Sequence, residues 1–131
     1  MQSAPKKIPI ERSLDKMFDI IEDLIPRMPK DVKHTWGQKL FNLELTIYEI
    51  LYNAKYAESK HGELIELRSK FFLMTKLLQR AHNKQFIPTN KYTELIPIIG
   101  NVERQLNGWI KSVTNNDLPA SDSVTADGEC V

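Results

Sequence analysis

Glu58-Ser59-Lys60-His61 sets a carboxylate and an imidazole three positions apart, the spacing by which di-iron helical bundles aim two ligands at one metal. Such a site needs two of these pairs and two further inward glutamates. Here there is one pair, and neither His34 nor His82 has a matching glutamate. The pair therefore reads as a solvated helix end, with His61 favourable to the dipole at a C-terminus. No glycine-rich phosphate loop, Cys/His cluster or nucleophile elbow occurs elsewhere. The expectation is a protein that is not an enzyme, with no catalytic residue, no metal ligand and no cofactor.

The basic residues offer different chemistry. Lys76, Arg80 and Lys84 recur every four positions, and Arg68 lies two turns earlier. A spacing of four drifts only about 40° per step on an α-helix, so these cations share one side of it. Lys70 broadens that surface, Arg104 and Lys111 add to it from a later segment, and Lys30 and Lys33 from an earlier one. Cations in such a row displace counterions from a phosphate backbone, giving salt-dependent affinity without sequence preference. A merely solvated face is the competing explanation.

Four helices have to position these residues. Ile10, Leu14, Met17, Phe18, Ile21, Leu24 and Ile25 predict the first over about 9–26, stopped by Pro26 and Pro29. Thr35-Trp36-Gly37-Gln38 has the form of a capping box opening the second, which runs to about His61 with Gly62 as a left-handed stop. The third spans about 63–85 and the fourth about 90–113, where Pro97 thins the ladder. Short connections between long amphipathic helices predict an all-α, antiparallel up-down four-helix bundle. Three regions result: a flexible N-terminus (1–8), the bundle (9–113), and a tail (114–131).

The second helix is apolar on two sides. Leu40, Leu43, Ile47, Ile50 and Ala54 form one stripe; Phe41, Leu45, Tyr48, Tyr52 and Tyr56 form another beside it. The second stripe marks either a central helix or a subunit interface.

Charge is divided unevenly. All 18 Lys and Arg but only 13 of the 17 acids precede residue 114, so the body carries +5 and the tail −4. The tail lacks aromatic and basic residues and reads as disordered. No apolar run is long enough to span a membrane, and the only cysteine, Cys130, permits no internal disulfide. A reducing cytoplasm is the expected location.

Met28-Pro29-Lys30 with Trp36-Gly37-Gln38-Lys39-Leu40, and Val102-Glu103-Arg104-Gln105-Leu106-Asn107-Gly108-Trp109-Ile110-Lys111-Ser112, resemble the Avd family, the accessory variability determinants of bacterial and phage diversity-generating retroelements. Leu51-Tyr52-Asn53-Ala54-Lys55-Tyr56-Ala57 lies between them in the expected order. The resemblance covers about 10–112 and is most specific at Gly108-Trp109. It implies a four-helix bundle assembling into a barrel-shaped homopentamer with a basic surface. That assembly would bind the element's reverse transcriptase and template-repeat RNA, or its hybrid with DNA, and support mutagenic copying without catalysing it. On this resemblance Lys30, Lys76 and Arg104 match family basic positions, whereas Glu103, Asn107 and Phe72 depart from the pattern. A related group encoded within ribosomal RNA intervening sequences is the near alternative, and a purely structural oligomeric adaptor the more distant one. Gly108 is expected to let a neighbouring helix pass close, with Trp109 filling the end of the bundle.

Overall fold

The computed structural model describes residues 7–117. Four long helices account for most of them: α1 (Pro9–Leu24), α2 (Gln38–Tyr56), α3 (His61–Asn83) and α4 (Thr89–Asp117), with no strand among the described residues. Residues 1–6 and 118–131, which hold most of the expected flexible N-terminus and acidic tail, lie outside the described part. Helix α4 continues four residues past Val113, and Val113 and Thr114 are half-buried.

The helices pack as a four-helix bundle, α2 on α3, α3 on α4 and α4 on α1. Of the four neighbouring pairs, α1 and α2 approach each other least closely along their length. The core is one cluster fed by every helix: Leu14, Met17, Phe18 and Ile21 from α1; Leu40, Ile47 and Ala54 from α2; Leu64, Leu67, Met74 and Leu78 from α3; Leu95, Val102 and Leu106 from α4. These are the periodic apolar positions, so burial follows the helical repeat.

The boundaries depart from the sequence expectations at the joints. Between α1 and α2 the chain makes a 3₁₀ turn (Ile25–Arg27), one turn of α-helix (Lys30–Val32) and a π turn (Lys33–Gly37). The capping box does not form. Thr35 donates to Val32 O at 3.0 Å, and Gln38 Nε2 to Asn42 Oδ1 at 3.3 Å. Gly37 instead serves close packing: a Cβ there would lie 2.6 Å from Ile25 Cγ2.

Gly62 is no helix stop. Helix α2 already ends at Tyr56, with Ala57 extended, and Gly62 lies in the first turn of α3 without a positive φ. Lys60 closes α2 from beyond its end, its Nζ donating to the carbonyls of Ala54 (2.9 Å), Lys55 (2.9 Å) and Ala57 (3.0 Å). Carbonyls of a last helical turn have no partner within the helix, and an ammonium with three donors satisfies them.

Helix α3 ends on a left-handed residue, Gln85 (φ 66°). Phe86 N–H returns to Ala81 O at 2.8 Å and Gln85 N–H to His82 O at 2.9 Å, the paired bonds of a Schellman ending. Tyr92 then stacks on His82 with ring centroids 4.4 Å apart, and Trp36 meets Phe86 edge-on at 5.5 Å. Pro97 lies inside α4, which continues through it.

Candidate nucleic-acid and subunit interfaces

The row expected on the third helix is present on α3. Arg68, Lys76 and Arg80 are exposed along it, Lys84 is exposed at the cap just past its end, and Lys70 is half-buried on the flank. Two apolar side chains accompany them that spacing alone assigned no role, Phe72 (61% exposed) and Leu73. Lys76 Nζ sits 5.8 Å from the centre of the Phe72 ring and also donates to Gln79 Oε1 at 3.3 Å. A cation over an aromatic face is held by the ring quadrupole, so the ammonium is positioned without being neutralised. Phe72 supplies a flat apolar surface between the cations. Such alternation suits stacking of a base together with contact to phosphate.

Arg68 joins this surface to the next helix, its Nη1 donating to Asn107 Oδ1 on α4 at 3.3 Å. The remaining basic residues do not gather in the row. Lys111 is exposed near the end of α4. Arg104 lines a separate cleft between α1 and α4 with Ser13, Lys16, Asp19, Glu94 and Asn101. Lys30 is exposed in the α1–α2 connection, while Lys33 lines a cleft of about 280 Å³ with Glu22, His34, Gly37 and Phe41.

The Glu58-x-x-His61 pair is split by the fold. Glu58 lies in the loop after α2, and His61 is exposed at the start of α3. A helix start favours anions, so the expected favourable dipole for His61 is reversed. Among the described residues no three His, Cys, Asp or Glu side chains converge as metal ligands.

The second stripe of α2 is divided. Phe41, Leu45, Tyr52 and Tyr56 are exposed, Tyr52 to 64%. Tyr52 and Tyr56 lie with centroids 4.9 Å apart, and Lys55 Nζ is 5.6 Å from the Tyr56 ring. Tyr48 differs from the other four: its ring packs edge-on to Phe18 at 5.0 Å, and its hydroxyl donates to Asp15 Oδ1 at 2.5 Å. It belongs to the seam between α1 and α2, where charged and polar pairs accompany the apolar packing.

That seam has one rung of unusual chemistry. Lys55 pairs with Glu11 at 3.2 Å, and Tyr48 with Asp15. Next along α2 comes Glu44, 1% exposed, the one buried charged residue among those described, and its Oε2 has no hydrogen-bond partner. It faces Glu22 and Asp19 of α1. Burial, then the hydrogen bond a protonated carboxyl shares with Glu22, then the charges of Glu22 and Asp19 push the Glu44 carboxyl up to about 9. Burial and the neighbouring Asp15 push the Tyr48 phenol up as well, so it stays protonated as a donor. Periodicity had no means of separating Glu44 from a solvated acid, since its burial depends on where α1 crosses.

A four-helix bundle with one basic, aromatic-bearing face on α3 and one aromatic face on α2 defines the class: a helical protein built around surfaces. The chain belongs to the bAvd-like family, whose sequence profile matches residues 8–113, and is an accessory protein of the Avd type. No curated protein and no solved structure matches it. No described helix is long and apolar enough to cross a membrane.

Proposed function

We propose that this chain is a non-catalytic accessory subunit of a diversity-generating retroelement. It binds the element's reverse transcriptase and template RNA in the cytoplasm and supports mutagenic cDNA synthesis. The observation that carries this reading, beside family membership, is the exposed row Arg68, Lys76, Arg80 and Lys84 with Phe72 among its cations. Each neutralised phosphate adds to the salt dependence, and the Phe72 ring adds a stacking platform.

The exposed α2 stripe supports self-association, and a pentamer is the assembly the family resemblance suggests. Closed symmetry would repeat the basic row around a ring and offer one polyanion several copies at once.

The test is a gel shift of template-repeat RNA over a salt series, with wild type and the double variant Lys76→Glu/Arg80→Glu. Wild type is expected to shift RNA at low salt and release it as salt rises. The double variant is expected to lose the shift while keeping its helix content and assembly size. Absent or salt-independent binding by wild type would favour a purely structural adaptor. A variant that binds normally would move the contact to Lys30, Lys33 and Arg104. A reverse-transcriptase gene and paired repeats beside the coding sequence would support the retroelement assignment independently.

A further inference from the structure

Phe72 is a member of the cationic row by position. Arg68, Phe72, Lys76, Arg80 and Lys84 follow one another at intervals of four, so the ring stands about one helical turn from a cation on each side. It is 61% exposed, and Leu73 next to it is exposed as well. Lys76 Nζ lies 5.8 Å from the ring centre.

The charge around it is one-sided. Residues 67–93, between Glu66 and Glu94, contain six Lys and Arg and no Asp or Glu, which exceeds the whole +5 excess of the body. A solvated helix face usually interleaves its signs, because opposite charges three or four apart stabilise each other. Here nothing of the opposite sign is interleaved. The ion pairs among the described residues join Lys7 to Asp15, Lys55 to Glu11 and Lys91 to Glu94. Arg68, Lys76, Arg80 and Lys84 therefore have no acidic partner among those residues. Arg68 and Lys76 bond to neutral amides, those of Asn107 and Gln79. An acid-free row of this kind complements a polyanion.

Paired and unpaired strands would meet this row differently. In a duplex each base is covered by its neighbours above and below, so an aromatic side chain finds no base face. The A-form major groove is too deep and narrow for side chains, and duplex RNA is held through phosphates and 2′-hydroxyls. Such contacts would use Arg68, Lys76, Arg80 and Lys84 and leave Phe72 idle. An unpaired strand uses both chemistries. A splayed base lies against the ring while the phosphates on either side of it meet the cations.

We propose that this face of α3 selects single-stranded RNA over duplex RNA, with an unpaired base stacking on Phe72 between phosphates held by Arg68 and Lys76. This rests on the row being the RNA contact proposed above, and it names the strand state that the contact takes. From Arg68 to Lys84 the row extends about 24 Å, a length suited to a short unpaired stretch such as a loop or a strand end.

The experiment is fluorescence anisotropy of a labelled, unstructured RNA of about 16 nucleotides, alone or annealed to its complement, titrated with the full chain. Wild type, Phe72→Ala, Phe72→Tyr and Lys76→Glu/Arg80→Glu are compared over a salt series, with circular dichroism of each. The altered side chains are all exposed, so every variant is expected to keep its helix content. Wild type is expected to bind the single strand about tenfold more tightly than the duplex. Phe72→Ala is expected to lose that margin on the single strand, to bind the duplex as before, and to keep the salt slope, because no cation is removed. Phe72→Tyr returns a ring and is expected to return the preference. Equal affinity of wild type for the two forms, or tighter binding of the duplex, would overturn the proposal and leave the row as a phosphate contact. A Phe72→Ala deficit equal on both forms would overturn it too, since the ring would then serve only to position Lys76. So would a preference that survives Phe72→Ala. Absence of binding to either RNA by wild type at low salt, or full binding by Lys76→Glu/Arg80→Glu, would remove the RNA contact on this row and this inference with it.

Discussion

The hydroxyl of Tyr48 donates to Asp15 Oδ1 at 2.5 Å, joining the middle of α2 to the middle of α1 across the neighbouring pair of helices that approach each other least. Burial pushes the Asp15 carboxyl up, but hydrogen bonds from Lys7 and Tyr48, with the Lys7 charge, hold it below the ordinary aspartate range overall. A depressed carboxyl contributes stability above its unfolded range and loses it as pH falls through the folded value. Tyr48→Phe keeps the ring against Phe18 and removes only the hydroxyl. It is expected to cost about 1.5–3 kcal/mol near neutral pH, the range for a hydrogen bond to a charged group. The loss should shrink on acidification as Asp15 gains a proton. Denaturant unfolding at neutral and acid pH measures both, and an equal deficit at the two would remove Asp15 from the account.

Lys60 is the residue that ends α2, although it lies four positions beyond it. Lys60→Met keeps most of the aliphatic stem and leaves three carbonyls to water. A loss of about 1–2 kcal/mol is expected, with faster amide exchange confined to the last turn of α2. Unchanged exchange at Asn53–Tyr56 would show that water serves the carbonyls equally well.

The four helices, their order and nearly all of the core were legible in the sequence, because an apolar repeat of 3.6 is a local signal that packing only reinforces. The joints were less legible. Gly62 resembled a helix stop, but the geometry that ends α2 comes from a lysine reaching backwards, which no periodicity records. Thr35 and Gln38 matched a capping box, yet the chain there makes a π turn that ends on Gly37, packed against Ile25. The basic row was readable as spacing, and Phe72 within it registered only as a departure from a family pattern. Glu44 was invisible for a different reason: a single acid at a core position looks the same as a solvated one until the neighbouring helix is placed.

Gln85 holds a left-handed backbone that glycine adopts without strain. Gln85→Gly relieves that strain while loosening the unfolded chain, and the two effects oppose each other. A net gain of about 0.5 kcal/mol is expected, and Gln85→Val should lose more than that, because a β-branched residue tolerates positive φ poorly. Thermal melts of the pair decide it. If both substitutions shift the melt the same way, the Schellman ending is not what sets stability there.

Gly108 was expected to let a neighbouring helix pass close by. The structure corrects this: Gly108 is exposed, and a Cβ added to it would meet nothing within 4 Å. Trp109 beside it is half-buried against the core, so the tryptophan has a packing role within the chain and the glycine has none. Glycine inside a helix costs about 1 kcal/mol relative to alanine, and here no intrachain contact offsets it. Gly108→Ala is therefore expected to raise the stability of the separated chain by about 0.5–1 kcal/mol without altering its core. A melt performed at a concentration where the chain is monomeric measures this directly. The same variant in the RNA shift and in sedimentation reads whether backbone approach at Gly108 matters outside the chain. Arg68 bonds to Asn107, the preceding residue, so a partner on the basic face would pass over this turn of α4. Stabilisation accompanied by weaker binding or assembly would place a partner against the Gly108 backbone. Stabilisation with both unchanged would leave the glycine without a physical role in either.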